Sequence, residues 1–172
     1  LSESPLFERK FSAIYEALEE GEMPLQELAD HFHQHQPTTC ETIAGYELYA
    51  LDCTSDPRPE AETLPGRLNL KSQAHQKSVP GEKFSWLVRL VKSCTSWVAP
   101  QDIQRVTQTT TDSAVGAEQI RRLEQQSDRP KVIVADSLYG NQYFLAIFLV
   151  VTTAFALVRL RGNLTLYESP LP

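Results

Sequence analysis

Apolar positions along the chain recur with two different periods, and the period changes mark the elements. Between Leu6 and His35 they fall near helical spacing in two runs broken at Gly21 and Pro24, which predicts two helices with Pro24 in the first turn of the second. Pro37 ends this region, and "HQPTTC" reads as a linker. "GYELYALDC", residues 45–53, alternates instead and predicts a strand carrying Asp52 near its end. "TSDPRPEAETLPGR" holds three prolines and a glycine and predicts a loop. "KSQAHQKSVPGEKFSWLVRLV" and "SWVAPQDIQRVT" predict two further strands, with a turn at Pro80-Gly81. "DSAVGAEQIRRLEQQ" is a helical pattern capped by Asp112 or Ser113, with Val115, Ile120 and Leu123 inward. The β-branched run before Asp136 predicts a strand, "NQYFLAIFLVVTT" a helix, and "AFALVRLR" a last strand.

Three strands joined by hairpin-type links, followed by alternating helices and strands, imply an α/β chain built on a mixed sheet flanked by helices. That order matches the ribonuclease H-like fold, in which the first and fourth strands are neighbours. Such an arrangement brings Asp52 and Asp136 together although they lie 84 positions apart. Asp136 closes the apolar run "KVIVA", where an unpaired buried carboxylate would be strongly disfavoured. At the carboxyl end of the strand it reaches instead the crevice where open α/β sheets hold ligands, and it is equally suited to form a turn.

With 172 residues, 41% hydrophobic and 22% charged, the chain is long enough for one sizeable core and unlike disordered or fibrous sequences. Cys40, Cys53 and Cys94 are an odd set without metal-ligand spacing and read as reduced thiols of an intracellular protein. "LSESPLFERK" lacks the apolar segment of a signal peptide and an initiator methionine, so the expectation is a cytoplasmic protein, with a start upstream allowed. The net charge of −6 argues against a polyanionic partner until its distribution is read. Residues 1–60 carry 13 acidic and 3 basic side chains, net −10, and residues 61–172 carry 9 acidic and 13 basic, net +4. The second part can therefore face nucleic acid.

Read together, "YALDCTSDPRPEAETLPGR", "VPGEKFSWL", "SWVAPQDIQRV", "AEQIRRL", "VIVADSLYGNQYFL" and "LVRLRGNLTLYESP" resemble, in this order, the bacterial insertion-sequence DDE transposases. The resemblance covers roughly residues 40–170 and divides the chain into an N-terminal helical segment, 1–40, and a ribonuclease H-like core, 41–172, incomplete at its carboxyl end. It implies Asp52 as the first catalytic, metal-binding acid and Asp136 as the second, with Mg²⁺ or Mn²⁺ as cofactor. It also implies strand cleavage and joining at transposon ends, and hence double-stranded DNA as partner. A homodimer is allowed for the full-length protein. The family's third acid, a glutamate on a later helix, is not recognisable, so catalysis by this chain is expected to be impaired. A non-catalytic remnant that binds DNA or protein through the same surface is the alternative, and a ribonuclease H-like nuclease that completes its site by other means is a third reading.

Arg159 and Arg161 alternate along one strand and suit phosphate contacts, or a pair of solvated edge charges. Glu168 is the only acid after Asp136, but its proline-bounded surroundings leave no room for a helix, so it is rejected as the third acid. His31 and His35 share a helix face without a further ligand, which favours exposed polar histidines over zinc. Asp56 and Arg58 are expected to pair with each other or with water, and Trp86 and Trp97 to sit in the core. Asn141 to Val158 is free of charge for 18 residues, at the border of a membrane span, but Thr152-Thr153 and the following β-rich stretch divide it into a helix and a strand, so no membrane is expected.

Overall fold

The computed structural model describes residues 24–37, 42–61, 65–71, 78–91 and 98–160, with Glu16, Glu20, Gly21, Thr63 and Gly162. These residues form a seven-stranded mixed sheet and three helices. In chain order they are α1 (Leu25–Gln34), β1 (Thr42–Ile43), β2 (Tyr46–Pro57), β3 (Leu68–Lys71), β4 (Ser78–Leu90), β5 (Val98–Val106), α2 (Asp112–Glu124), β6 (Lys131–Ala135), α3 (Gln142–Val151) and β7 (Phe155–Val158). β2 lies at the centre. β4 pairs antiparallel with one edge of it and β6 parallel with the other. β5 and β3 both pair with β4, and β7 runs parallel to β6 at the far edge. The predicted neighbours, the strands bearing Asp52 and preceding Asp136, are adjacent in the sheet. The earlier of the two helices predicted between Leu6 and His35 lies outside the described residues apart from Glu16 and Glu20.

Alternation sorts the side chains of β2 onto two faces. Tyr49 and Leu51 point to one face and join Leu87, Ala117, Ile120, Leu123, Ile133, Ala135, Tyr139, Phe144 and Phe148 in a single core. Full burial of each large aliphatic chain in that set contributes about 1.5–3 kcal/mol. Helices α2 and α3 supply this face, and Ala29 of α1 lies on the same side, near Leu87, Gln101 and Leu123. α1 is held to β5 by Gln36, whose Nε2 donates to the Pro100 carbonyl at 3.0 Å. The opposite face, with Tyr46, Leu48, Ala50, Trp86, Val88, Val132, Val134, Phe155 and Leu157, is covered by no described element. Phe155 and Leu157 are 59% and 63% exposed there.

Several expectations change. The strand of Asp52 does not stop at Cys53 but runs on to Pro57, because β4 offers backbone partners as far as Gly81. Pro80-Gly81 is not a turn and lies inside β4. Gly81 is required by a close approach of strands, since a Cβ there would fall 2.4 Å from the Asp56 carbonyl oxygen. Pro80 sits near the start of β4, where its missing N–H affects a short ladder while its carbonyl accepts the Arg58 N–H at 2.8 Å. The two-residue strand β1 and its tight turn, with Ala44 and Gly45 at φ of 51° and 88°, were not anticipated, nor was β3. Pro24 caps α1 rather than entering it. Thr111, not Asp112 or Ser113, caps α2, its hydroxyl accepting the Ala114 N–H at 3.2 Å. Ile120 and Leu123 are buried as expected, whereas Val115 is partly exposed and Gln119 takes an interior place. The uncharged stretch divides into α3 and β7, and no helix of the described residues is long and apolar enough to cross a membrane.

Candidate functional site

Leu51 of β2, Ala135 of β6 and Val158 of β7 are register partners across three parallel strands. One residue further along each strand stand Asp52, Asp136 and Arg159, with the Arg159 N–H still donating to the Ala135 carbonyl at 3.3 Å. Since Leu51 and Ala135 face the core, the next position on each strand faces the uncovered side of the sheet. Asp52 and Asp136 therefore emerge on one face from adjacent strands, whose backbones are separated by about 4.8 Å. Both are exposed.

Local hydrogen bonds orient each carboxylate. Oδ1 of Asp52 accepts the Cys53 N–H at 2.8 Å, and Oδ1 of Asp136 accepts the Leu138 N–H at 2.8 Å while its carbonyl accepts the Tyr139 N–H at 3.2 Å. Asp136 thus closes a turn as well as standing at the strand end. The second oxygen of each carboxylate makes no hydrogen bond or ion pair among the described residues. Two such carboxylates fit a hard cation that takes one or two acidic ligands and keeps water in its remaining positions. Among the described residues no group of three or more His, Cys, Asp and Glu side chains converges.

The turn after Asp136 is fixed against the end of β7. A Cβ on Gly140 would lie 2.0 Å from the Arg159 carbonyl oxygen, so only glycine permits this approach. Arg159 is exposed, and its guanidinium makes no ion pair among the described residues. Arg161 lies outside them, as do Glu168, Trp97, Cys40 and Cys94. Arg58 pairs with Asp56 at 2.8 Å, as the sequence suggested. Nδ1 of His35 lies 3.0 Å from the His31 carbonyl oxygen, and the two rings lie 4.1 Å apart on the exposed face of α1.

Trp86 was read as a core residue and is found elsewhere. It is the register partner of Asp52 on β4, and its neighbours Ser85 and Leu87 take the core face, so the indole lies on the uncovered side and is partly exposed. The alternation of "KFSWL" could have suggested this, but either parity of an apolar strand serves equally well until one of its residues is tied to a helix.

Beneath Asp52, on the core side, lies a polar cluster. Ser85 donates to Gln119 Oε1 at 2.7 Å, Gln119 Nε2 donates to the Ser85 and Asp102 carbonyls at 3.1 and 3.2 Å, and Lys83 pairs with Asp112. Burial pushes the free Cys53 thiol above its ordinary value, and burial likewise raises the Tyr139 phenol well above its own. At the other end of the sheet a cavity of about 420 Å³ is lined in part by Glu47, Tyr49, Arg89 and Arg129. Its buried carboxylate, Glu47, is already neutralised by Arg89 at 2.9 Å, with Tyr49 OH donating at 3.0 Å and Arg129 at 3.8 Å, an arrangement that ties strands and loop together. No family model, curated protein or solved structure matches the chain.

Proposed function

We propose that the chain is a ribonuclease H-like core of the insertion-sequence DDE transposase type, that Asp52 and Asp136 hold one divalent cation, Mg²⁺ or Mn²⁺, and that its surface binds DNA. The observation that carries this reading is the pairing of the two acids: Asp136 directly follows the carboxyl end of β6, and Asp52 stands beside it on the adjacent parallel strand β2, where the β2–β6 ladder ends. The sheet order, with the two antiparallel strands β4 and β5 on one side of β2 and the parallel β6 and β7 on the other, agrees with it.

A bound divalent cation supplies a lowered pKa for its water and neutralises charge developing on a phosphoryl group. Asp52 and Asp136 each offer it a carboxylate oxygen that is not engaged by the backbone. Asp136 is kept at the strand end by its own turn. Arg159, next in the row, balances the charge of an approaching phosphate. One cation on two carboxylates lacks the second ion of a two-metal centre, so the proposal is a surface that binds DNA with little or no cleavage.

The test is a melting curve with millimolar Mg²⁺ or Mn²⁺. Metal at a hundredfold its dissociation constant stabilises the fold by about 2.7 kcal/mol, and Asp52→Asn removes most of that gain. An unchanged melting temperature in either metal overturns the metal site. In a parallel assay, duplex DNA should bind weakly at low salt without strand cleavage. Robust cleavage lost in Asp136→Ala would show instead that two acids suffice.

A further inference from the structure

We infer that the row Trp86–Asp52–Asp136–Arg159 is a binding strip for single-stranded DNA, with an unpaired base stacked on Trp86 and a neighbouring phosphate held by Arg159. This rests on the DNA-binding reading above and names the form of DNA and the residues that take it. Trp86 pairs with Asp52 in the β2–β4 ladder, and Arg159 follows Val158, the partner of Ala135, so the four residues occupy successive strands at one level of the sheet. Trp86 and Asp52 belong to the face that no described element covers, and Asp136 and Arg159 directly follow the ends of β6 and β7 at the same level. The strip spans three strand spacings, about 14 Å.

Each end carries a different chemistry. An indole standing partly exposed on a sheet face offers a flat π surface, and stacking on it is available to any base that is not already stacked within a duplex. A guanidinium without an ion-pair partner among the described residues offers a fork for a phosphate. The carboxylates between them repel a bare phosphate, so the backbone of the strand is steered toward Arg159 while the base turns toward Trp86. An apolar protein segment would use the Phe155 and Leu157 part of the face and gain nothing from Arg159, whereas an unpaired nucleotide engages both the indole and the guanidinium.

The experiment is anisotropy of a labelled single-stranded oligonucleotide, and of the same sequence as a duplex, in EDTA at low salt, so that a failure of the metal site leaves the measurement intact. Wild-type protein is expected to prefer the single strand. Trp86→Ala should weaken single-strand binding about tenfold or more with little effect on the duplex, while Trp86→Phe retains most of it. Arg159→Ala should weaken binding and lower the salt slope by about 0.7. Equal affinity of Trp86→Ala and wild type, or an equal loss for duplex and single strand, overturns the proposal. So does loss of affinity in Trp86→Phe as well as Trp86→Ala, which would mark a structural role. If Trp86→Ala instead abolishes self-association and leaves DNA binding unchanged, the face is a protein interface.

Discussion

Gly140→Ala perturbs the packing that sets Asp136 beside Arg159. The added methyl would lie 2.0 Å from the Arg159 carbonyl oxygen, 2.9 Å from its carbonyl carbon and 3.1 Å from the Leu160 Cα. All three obstacles are backbone, so no side chain can rotate away. Relief requires the end of β7 to move by more than 1 Å, enough to break the 3.3 Å bond from the Arg159 N–H to the Ala135 carbonyl. Overpacking of this kind costs about 1–3 kcal/mol, and the lost hydrogen bond adds about 1 kcal/mol. A total near 3 kcal/mol lowers the melting temperature by about 6–12 °C for a chain of this size. Urea unfolding followed by circular dichroism measures it, with Gly162→Ala as control because no atom lies within 4 Å of a Cβ there. A variant within about 0.5 kcal/mol of the wild type would refute the close contact and with it the fixed position of Arg159. If the displacement occurs, oligonucleotide binding should fall even after correction for the unfolded fraction.

Gln119→Leu removes three buried hydrogen bonds, one from the Ser85 hydroxyl and two to the Ser85 and Asp102 carbonyls, so it should cost about 2–4 kcal/mol in urea unfolding, and a neutral result would mean the cluster is not buried. Lys83→Met strands the partly buried Asp112 carboxylate and should lower stability in urea unfolding, a loss that the added change Asp112→Asn should relieve. Cys53 and Tyr139 titrate higher in the folded chain than in the unfolded one, so the stability they provide is complete below the ordinary thiol value of 9.0 and is lost as pH rises above it. Cys53→Ser should flatten the alkaline part of the stability curve, and iodoacetamide should modify Cys53 slowly compared with a free thiol.

The placement of Asp52 and Asp136 on neighbouring strands was legible because each follows a largely apolar run, and because the order of strands leaves few ways to arrange them. Asp136 follows a β-branched run, and Asp52 follows an alternating one. The rest depended on tertiary contacts that leave weak local marks. Gly81 looked like a turn glycine because close approach of Asp56 and a reversal of the chain both call for the same residue. β3 is four residues long and exists because β4 has a free edge there, not because "LNLK" has a strong pattern. Trp86 was assigned to the wrong environment since an aromatic residue in an apolar strand gives no hint of which face the helices will cover. Gln119 entered the core on the strength of partners 34 and 17 positions away, which helical periodicity does not report.

The same register that builds the core also delivers the candidate site. Leu51, Ala135 and Val158 form a row, and two of them, Leu51 and Ala135, are buried beneath the helices. A slip of one residue between β2 and β6 would drive either Asp52 or Asp136 into that interior, at the cost of burying a carboxylate with no cationic partner, while sending Leu51 or Ala135 to solvent. The hydrophobic requirement therefore fixes both acids on the opposite face at one level, whether or not a ligand is present. Substitutions at Leu51 or Ala135 should accordingly lower stability and binding together. Asp52→Asn or Arg159→Ala should alter binding at nearly constant stability in the absence of metal, because neither side chain takes part in the packing that holds the row.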